Sequence, residues 1–273
     1  MHNWEQRITN DIRYITVPSW LECGVDVAIS TRTGGVSEAP FQSLNLGLHV
    51  GDQTEAVLEN RHRLMGIFSQ DLQSMVCCHQ IHGNQVIRVD ESFKGRGALS
   101  YADSISGYDS MITNQPGVYL ATYYADCLPV CFFDPIKRAI GMAHSGWKGT
   151  MGRIVVNTIE AMQREFGSSL YDIEVFMGPA IGRCCFEIQP DLANKVKIEF
   201  NRLNNIIFKG ENDDIYTWDL QNTNRQLLIE SGINPQQIII CDICTASNTD
   251  SFFSYRREQG QTGRMGALLG LRI

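Results

Sequence analysis

The chain has no run of about 18 consecutive apolar residues, the length a helix needs to cross a bilayer. Its first ten residues, MHNWEQRITN, carry neither the basic start nor the apolar core of a secretory leader. Both absences point to a cytoplasmic protein with no membrane partner. An excess of positive charge is missing too: 23 Lys and Arg stand against 30 Asp and Glu, a formal net charge of −7. That excludes a general polyanion binder, and nucleic acid as a partner with it. No internal repeat, low-complexity tract or Pro/Ser-rich linker divides the 273 residues, so residues 1–273 read as a single domain. The six histidines include no His-x-His pair, which removes a multicopper oxidase, whose clusters draw on such pairs. The cysteines number nine, an odd count with two adjacent pairs, and fit buried thiols or metal ligands better than a disulfide framework.

What is present is ordinary for a folded chain, 43% hydrophobic and 19% charged. Val25 to Ser30 reads as a strand, and Asp52 with Glu55 reads as a capping box opening a helix. Arg61 falls on that helix's apolar face with Val57, Leu58, Leu64, Met65 and Phe68, so its guanidinium is predicted to point inward and to need an anionic partner, either an internal aspartate or a ligand. Met75 to Ile81 and Gln85 to Val89 read as a hairpin with His82 near its tip. Strands follow at Val118 to Tyr124, Leu128 to Phe133 and Ala139 to His144, and Gly146 to Thr150 leads into one amphipathic helix through Phe166. A strand at Ile173 to Met177, helices near 191–200 and 219–230, and strands near Ile238 and Leu268 complete an irregular interleaving. The predicted class is α+β.

The chemistry concentrates on His82, Cys127 and His144, which sit at strand ends beside Gly-rich turns. Their spacings are far too long for a zinc finger, so any site is assembled by the fold. Two imidazoles and one thiolate with an open fourth position suit catalytic zinc. The same residues allow a Cys127 nucleophile with a histidine base and Asp126 as the orienting acid. They also allow a blue-copper ion if a methionine lies nearby. Taken singly, each is more often an ordinary satisfied histidine or buried thiol. Cys241 and Cys244 form a lone C-x-x-C, Cys77-Cys78 and Cys184-Cys185 read as packing residues, and Gly178 to Gly182 reads as a tight loop or an anion nest.

Read together, the motifs Thr31-Arg32-Thr33-Gly34-Gly35, Ser43-Leu44-Asn45-Leu46-Gly47, Asn60-Arg61, Gln80-Ile81-His82-Gly83, Ala125-Asp126-Cys127-Leu128-Pro129, Ala143-His144-Ser145-Gly146-Trp147-Lys148-Gly149-Thr150, Gly178-Pro179-Ala180-Ile181-Gly182, Phe252-Phe253-Ser254-Tyr255-Arg256 and Thr262-Gly263-Arg264 resemble the YfiH/YlmD family in order over nearly the whole chain. The resemblance implies a layered α/β/β/α domain of mixed, largely hairpin-connected sheets covered by helices. It implies a zinc-dependent purine nucleoside phosphorylase acting on adenosine, inosine and S-methyl-5′-thioadenosine with phosphate, together with adenosine deamination. Copper is the alternative ion, since the family also carries a polyphenol oxidoreductase or laccase label. A Cys-dependent hydrolase of cell-wall precursors is the alternative enzyme. Metal ligands carry over to His82, Cys127 and His144. We assign Asp126 as the expected proton shuttle, and Arg61 with Asn45 as the expected phosphate contacts. Lys148, Arg32 and Arg256 are further cations inside the motifs. Lys148 stands where many members carry Arg, which would reduce a bidentate phosphate contact to a point charge. The sequence allows a homodimer without requiring one.

Overall fold

Strands buried at every position, β-rich runs with no polar face, build two sheets that share one inner core. The computed structural model describes residues 3–210 and 215–273; Met1 and His2, the start of the stretch read for a leader, lie outside the described residues. In chain order the elements are β1 (Glu5–Thr9), β2 (Ile12–Thr16), α1 (Pro18–Glu22), β3 (Val25–Ser30), α2 (Thr54–Gly66), β4 (Met75–His79), β5 (Val86–Arg88), β6 (Ile105–Ser106), β7 (Ser110–Thr113), β8 (Tyr119–Tyr124), β9 (Leu128–Asp134) and β10 (Ala139–Ser145). They continue with α3 (Trp147–Met151), α4 (Ile154–Phe166), β11 (Glu174–Met177), β12 (Glu187–Ile188), α5 (Pro190–Glu199), β13 (Ile207–Lys209), β14 (Tyr216–Trp218), α6 (Leu220–Glu230), β15 (Ile238–Ile240) and β16 (Met265–Leu271).

One sheet runs β1-β2-β3-β16-β8-β4-β6, the second β15-β11-β9-β10-β7-β5, and a small third β12-β14-β13. Val25, Val27 and Ile29 of β3 face Phe133, Ile140 and Phe176 across the inter-sheet core, while Ala28 between them packs outward with Leu64 and Met65 of α2. On the far side, Val130 and Phe132 of β9 pack with Ile159 and Met162 of α4 and Leu227 of α6. The order of layers is therefore helix, sheet, sheet, helix, the α/β/β/α arrangement expected above.

Three local expectations are corrected. The stretches 75–81 and 85–89 are not a hairpin, because β4 pairs in parallel with β8 in the first sheet and β5 with β7 in the second. The capping box does not form. Asp52 accepts from Ser37 Oγ (2.6 Å) and Asn45 Nδ2 (2.8 Å), and the helix starts behind Gln53. The single helix after Gly146 is two, broken at Arg153, whose φ of 57° cannot continue a right-handed helix.

Candidate active site

Parallel pairing brings the three metal-ligand candidates together. Because β4 and β8 run side by side in the same direction, with Cys77 opposite Ala121, their C-terminal ends emerge together. The chain then crosses from the first sheet to the second twice at that end, through His82 between β4 and β5 and through Cys127 between β8 and β9. β10 is antiparallel to β9 and places His144 opposite Pro129, beside the second crossing. Gln80 ties the two crossings by donating to Tyr123 O (2.9 Å) and accepting from Tyr123 N (2.8 Å).

The donor atoms of His82, Cys127 and His144 all lie within 4.8 Å of one another, and the imidazole centroids are 4.8 Å apart. Tetrahedral zinc, with bonds of about 2.0–2.3 Å to nitrogen and sulfur, fits three donors so spaced and keeps a fourth position free. His144 is buried, and its Nδ1 lies 2.8 Å from Asp109 Oδ1, which turns Nε2 toward Cys127. Asp109, fully buried, also accepts from the backbone N–H of Ile81 (3.1 Å), His82 (3.0 Å) and Gly83 (2.7 Å). These bonds hold His82 at φ 60°, a left-handed conformation that costs an L-residue energy. Burial pushes the Asp109 carboxyl up, but the bonds from His144 and the backbone outweigh it and hold it below the usual carboxylate range. Sequence reading missed Asp109, which stands in Tyr108-Asp109-Ser110 with no motif to mark it.

Burial also pushes the Cys127 thiol up, yet the charge and hydrogen bonds of His144 and His82 outweigh it and bring it down to about 6. His144, disfavoured as a cation by burial, is raised to about 9 by Cys127 and Asp109. Metal-free protein thus holds a thiolate and an imidazolium at neutral pH, and metal binding releases the imidazolium proton. In that form, iodoacetamide alkylation of Cys127 should be near its full rate at neutral pH and fall to half near pH 6, while Cys131 and Cys241, pushed by burial to about 12, stay inert. Peptide mapping after alkylation checks this, and added zinc should suppress the Cys127 adduct. Gly146 borders the centre: a Cβ there would lie 3.0 Å from Cys127 Sγ and 3.1 Å from His82 Cδ2. Gly146→Ala should therefore weaken metal binding by roughly tenfold while leaving the melting temperature within a few degrees, as read by zinc competition and calorimetry.

Other expected site residues move to different roles. Arg61 does point inward at 1% exposure, but carbonyls replace the expected anion: Nε donates to Leu46 O and Nη1 to Gly97 O and Ala98 O, with the guanidinium over the Tyr123 ring. It does not line the cavity. Asn45 is fully buried, donating to Asp52 and accepting from the Gly47 and Arg264 N–H groups, so it too is structural. Asp126 borders the cavity, yet both its oxygens are taken by Thr245 Oγ1 (2.7 Å), Ser254 Oγ (2.9 Å) and Arg256 N (2.7 Å), which fix its φ of 82°. Three donors fill three of its roughly four acceptor positions, so this carboxylate braces the loop, and the carboxylate bonded to His144 is that of Asp109. Arg32 is tied to Glu258 and Thr249. The loop 178–182 spends its N–H groups inside the protein, Ile181 on Asp126 O and Gly182 on Cys244 Sγ, and is no anion nest.

Above the ligand candidates opens a cavity of about 560 Å³. Lys148 is among its lining residues, with Nζ 5.5 Å from the Trp147 ring centroid. Arg256 and Arg264 add positive charge, and aromatic walls come from Tyr101, Tyr255 and Phe186. Tyr101 sits between His49 (ring centroids 5.1 Å) and His79 (4.7 Å). Solvent reaches His49 through the cavity, yet the surrounding protein and the Arg264 and Arg61 guanidiniums bring its pKa down to about 4, so its ring is neutral. His49, Tyr101 and Arg264 carried no spacing signal, and only Arg264 lay within a quoted motif.

A family model described as multi-copper polyphenol oxidoreductase laccase matches residues 26–272. The purine nucleoside phosphorylase YlmD of Bacillus subtilis is 37% identical over 251 residues, covering 91% of this chain and 89% of that one. The crystal structure of YlmD from Geobacillus stearothermophilus superposes with a TM-score of 0.94 at 33% identity over all of both chains. This chain belongs to the YfiH/YlmD family. The YfiH of Bacillus licheniformis, a family member of solved structure, superposes with a TM-score of 0.91 at 34% identity, covering 98% of this chain. Among the described residues no methionine lines the cavity around His82, Cys127 and His144.

Proposed function

We propose that this chain is a zinc-dependent purine nucleoside phosphorylase, taking adenosine, inosine and S-methyl-5′-thioadenosine with phosphate, and that the same centre deaminates adenosine. The observation that carries the reading is the two-imidazole, one-thiolate donor set at the floor of a cation-lined, aromatic-walled cavity of nucleoside size. The purine nucleoside phosphorylase names of its relatives supply the substrate class. Zinc held by His82, Cys127 and His144 would supply Lewis-acid stabilisation at an open coordination position.

The chain's own residues would do the rest. In an acidic protein, Arg264, Arg256 and Lys148 gather phosphate at the cavity wall. Phosphorolysis forms a C1′–O bond as the N-glycosidic bond breaks, and the base leaves with the electron pair and needs a proton. The Tyr101 hydroxyl and the neutral His49 ring line that wall and can donate hydrogen bonds to the departing base, which takes its proton from solvent. The phenol and indole faces of Tyr255 and Trp147 shield the oxocarbenium-like sugar from water.

The test is phosphate dependence. Adenine and hypoxanthine release with ribose 1-phosphate as co-product, lost to a strong chelator and restored by zinc, is the expected result. One observation favours a second reading: Cys127, His144 and Asp109 have the order and contacts of a thiol-hydrolase triad, with Asp109 in the place first assigned to Asp126. A cell-wall amidase of that kind would survive chelation and be killed by alkylation.

A further inference from the structure

Cys185 packs in the core beneath α4 and α6 as expected, with Cys244 against the same cluster, while Cys184 is exposed. Loop 178–186 and loop 241–248 meet through a parallel bridge between Ala180 and Cys244, and the meeting gathers three sulfurs within 4.8 Å of one another. Cys241, the other half of the C-x-x-C, is instead fully buried in the inter-sheet core. We propose that Cys184, Cys185 and Cys244 form a second metal site, for a soft monovalent d10 ion, Cu(I), independent of the His82 centre.

Four features carry this. Cys184 Sγ and Cys185 Sγ are 3.6 Å apart, a separation that a trigonal set around one ion readily spans. Polar groups surround the sulfurs: Arg257 Nη2 donates to Cys185 (3.3 Å), the Gly182 N–H donates to Cys244 (3.1 Å), and the one Ser247 hydroxyl lies 3.1 Å from Cys185 and 3.5 Å from Cys184. Such donors stabilise thiolates and orient them toward a shared ion. The backbone is shaped around the sulfurs, since a Cβ at Gly182 would lie 3.0 Å from Cys244 Cβ and 3.4 Å from Cys184 Sγ. Finally, no imidazole or carboxylate joins the group among the described residues. Structural zinc closes four ligands, whereas an all-thiolate set of three suits Cu(I). Cys184 is exposed, so an ion can enter from solvent.

The test separates the two centres by removing the first. In the full-length Cys127→Ser protein, reduced and kept anaerobic, competition against a chromogenic Cu(I) chelator should show about one equivalent bound tightly. Adding Cys184→Ser, a solvent-facing change that folding tolerates, should weaken that binding on the order of tenfold or more, and Cys244→Ser should do the same. Sulfur-only coordination in the copper K-edge spectrum is the second expected readout. Unchanged Cu(I) affinity in both double variants, or no Cu(I) uptake by fully reduced Cys127→Ser, overturns the proposal. So does zinc held at these sulfurs in preference to Cu(I).

Discussion

Asp109→Ala should lower metal affinity by about 10–100-fold and cost the fold several kcal/mol, although Asp109 itself is no metal ligand. The reason is that one carboxylate serves four donors: the N–H groups of Ile81, His82 and Gly83, and Nδ1 of His144. Removing it orphans backbone donors, at about 1–3 kcal/mol for each that water cannot reach. It also frees His82 from φ 60° and His144 from its ring orientation, so two ligands lose their aim at once. Asp109→Asn, which keeps one acceptor oxygen, should recover part of the stability and less of the affinity. Zinc competition and denaturant unfolding measure the two losses separately. A variant with wild-type zinc affinity would show that the ligands are positioned by the loop alone.

Cys127→Ala has the opposite profile. The side chain is small and half-buried, and it bonds only to the two histidines, so the fold should change by less than about 1 kcal/mol. Bound zinc should vanish and phosphate-dependent base release fall by more than about a thousandfold, since a two-imidazole remnant leaves the centre one protein ligand short. Metal analysis with steady-state turnover decides it. Activity surviving in zinc-free Cys127→Ala would remove both the metal and the thiol-nucleophile accounts.

What the sequence revealed and what it hid divide on physical lines. Strand β3 coincides with the expected Val25 to Ser30, and the ends of β8, β9 and β10 agree within a residue, because apolar β-branched runs bounded by turns are local signals. The inward face of Arg61 was legible from helical spacing. Its partners were not, because carbonyls of residues 46, 97 and 98 leave no mark in side-chain identity. The false hairpin at His82 has the same origin: two β-rich runs around a Gly look alike whether they pair or part to different sheets, and parallel adjacency of β4 and β8 has no local sign. His82, Cys127 and His144 were therefore visible as candidates by position at strand ends, while their convergence came from topology. Asp126 and Asp109 exchanged importance because a carboxylate's role depends on which donors surround it. The cysteine cluster was hidden similarly, since its members lie some 60 residues apart in two loops joined by a single bridge.

The central claim is that three side chains make one zinc centre that runs nucleoside phosphorolysis, and reconstitution tests it most directly. Metal-free protein titrated with zinc should gain phosphate-dependent hypoxanthine release from inosine in proportion to metal, with a break at about one equivalent, and lose Cys127 alkylation along the same curve. Base release at full rate before any zinc is added, with Cys127 still open to alkylation, would contradict it.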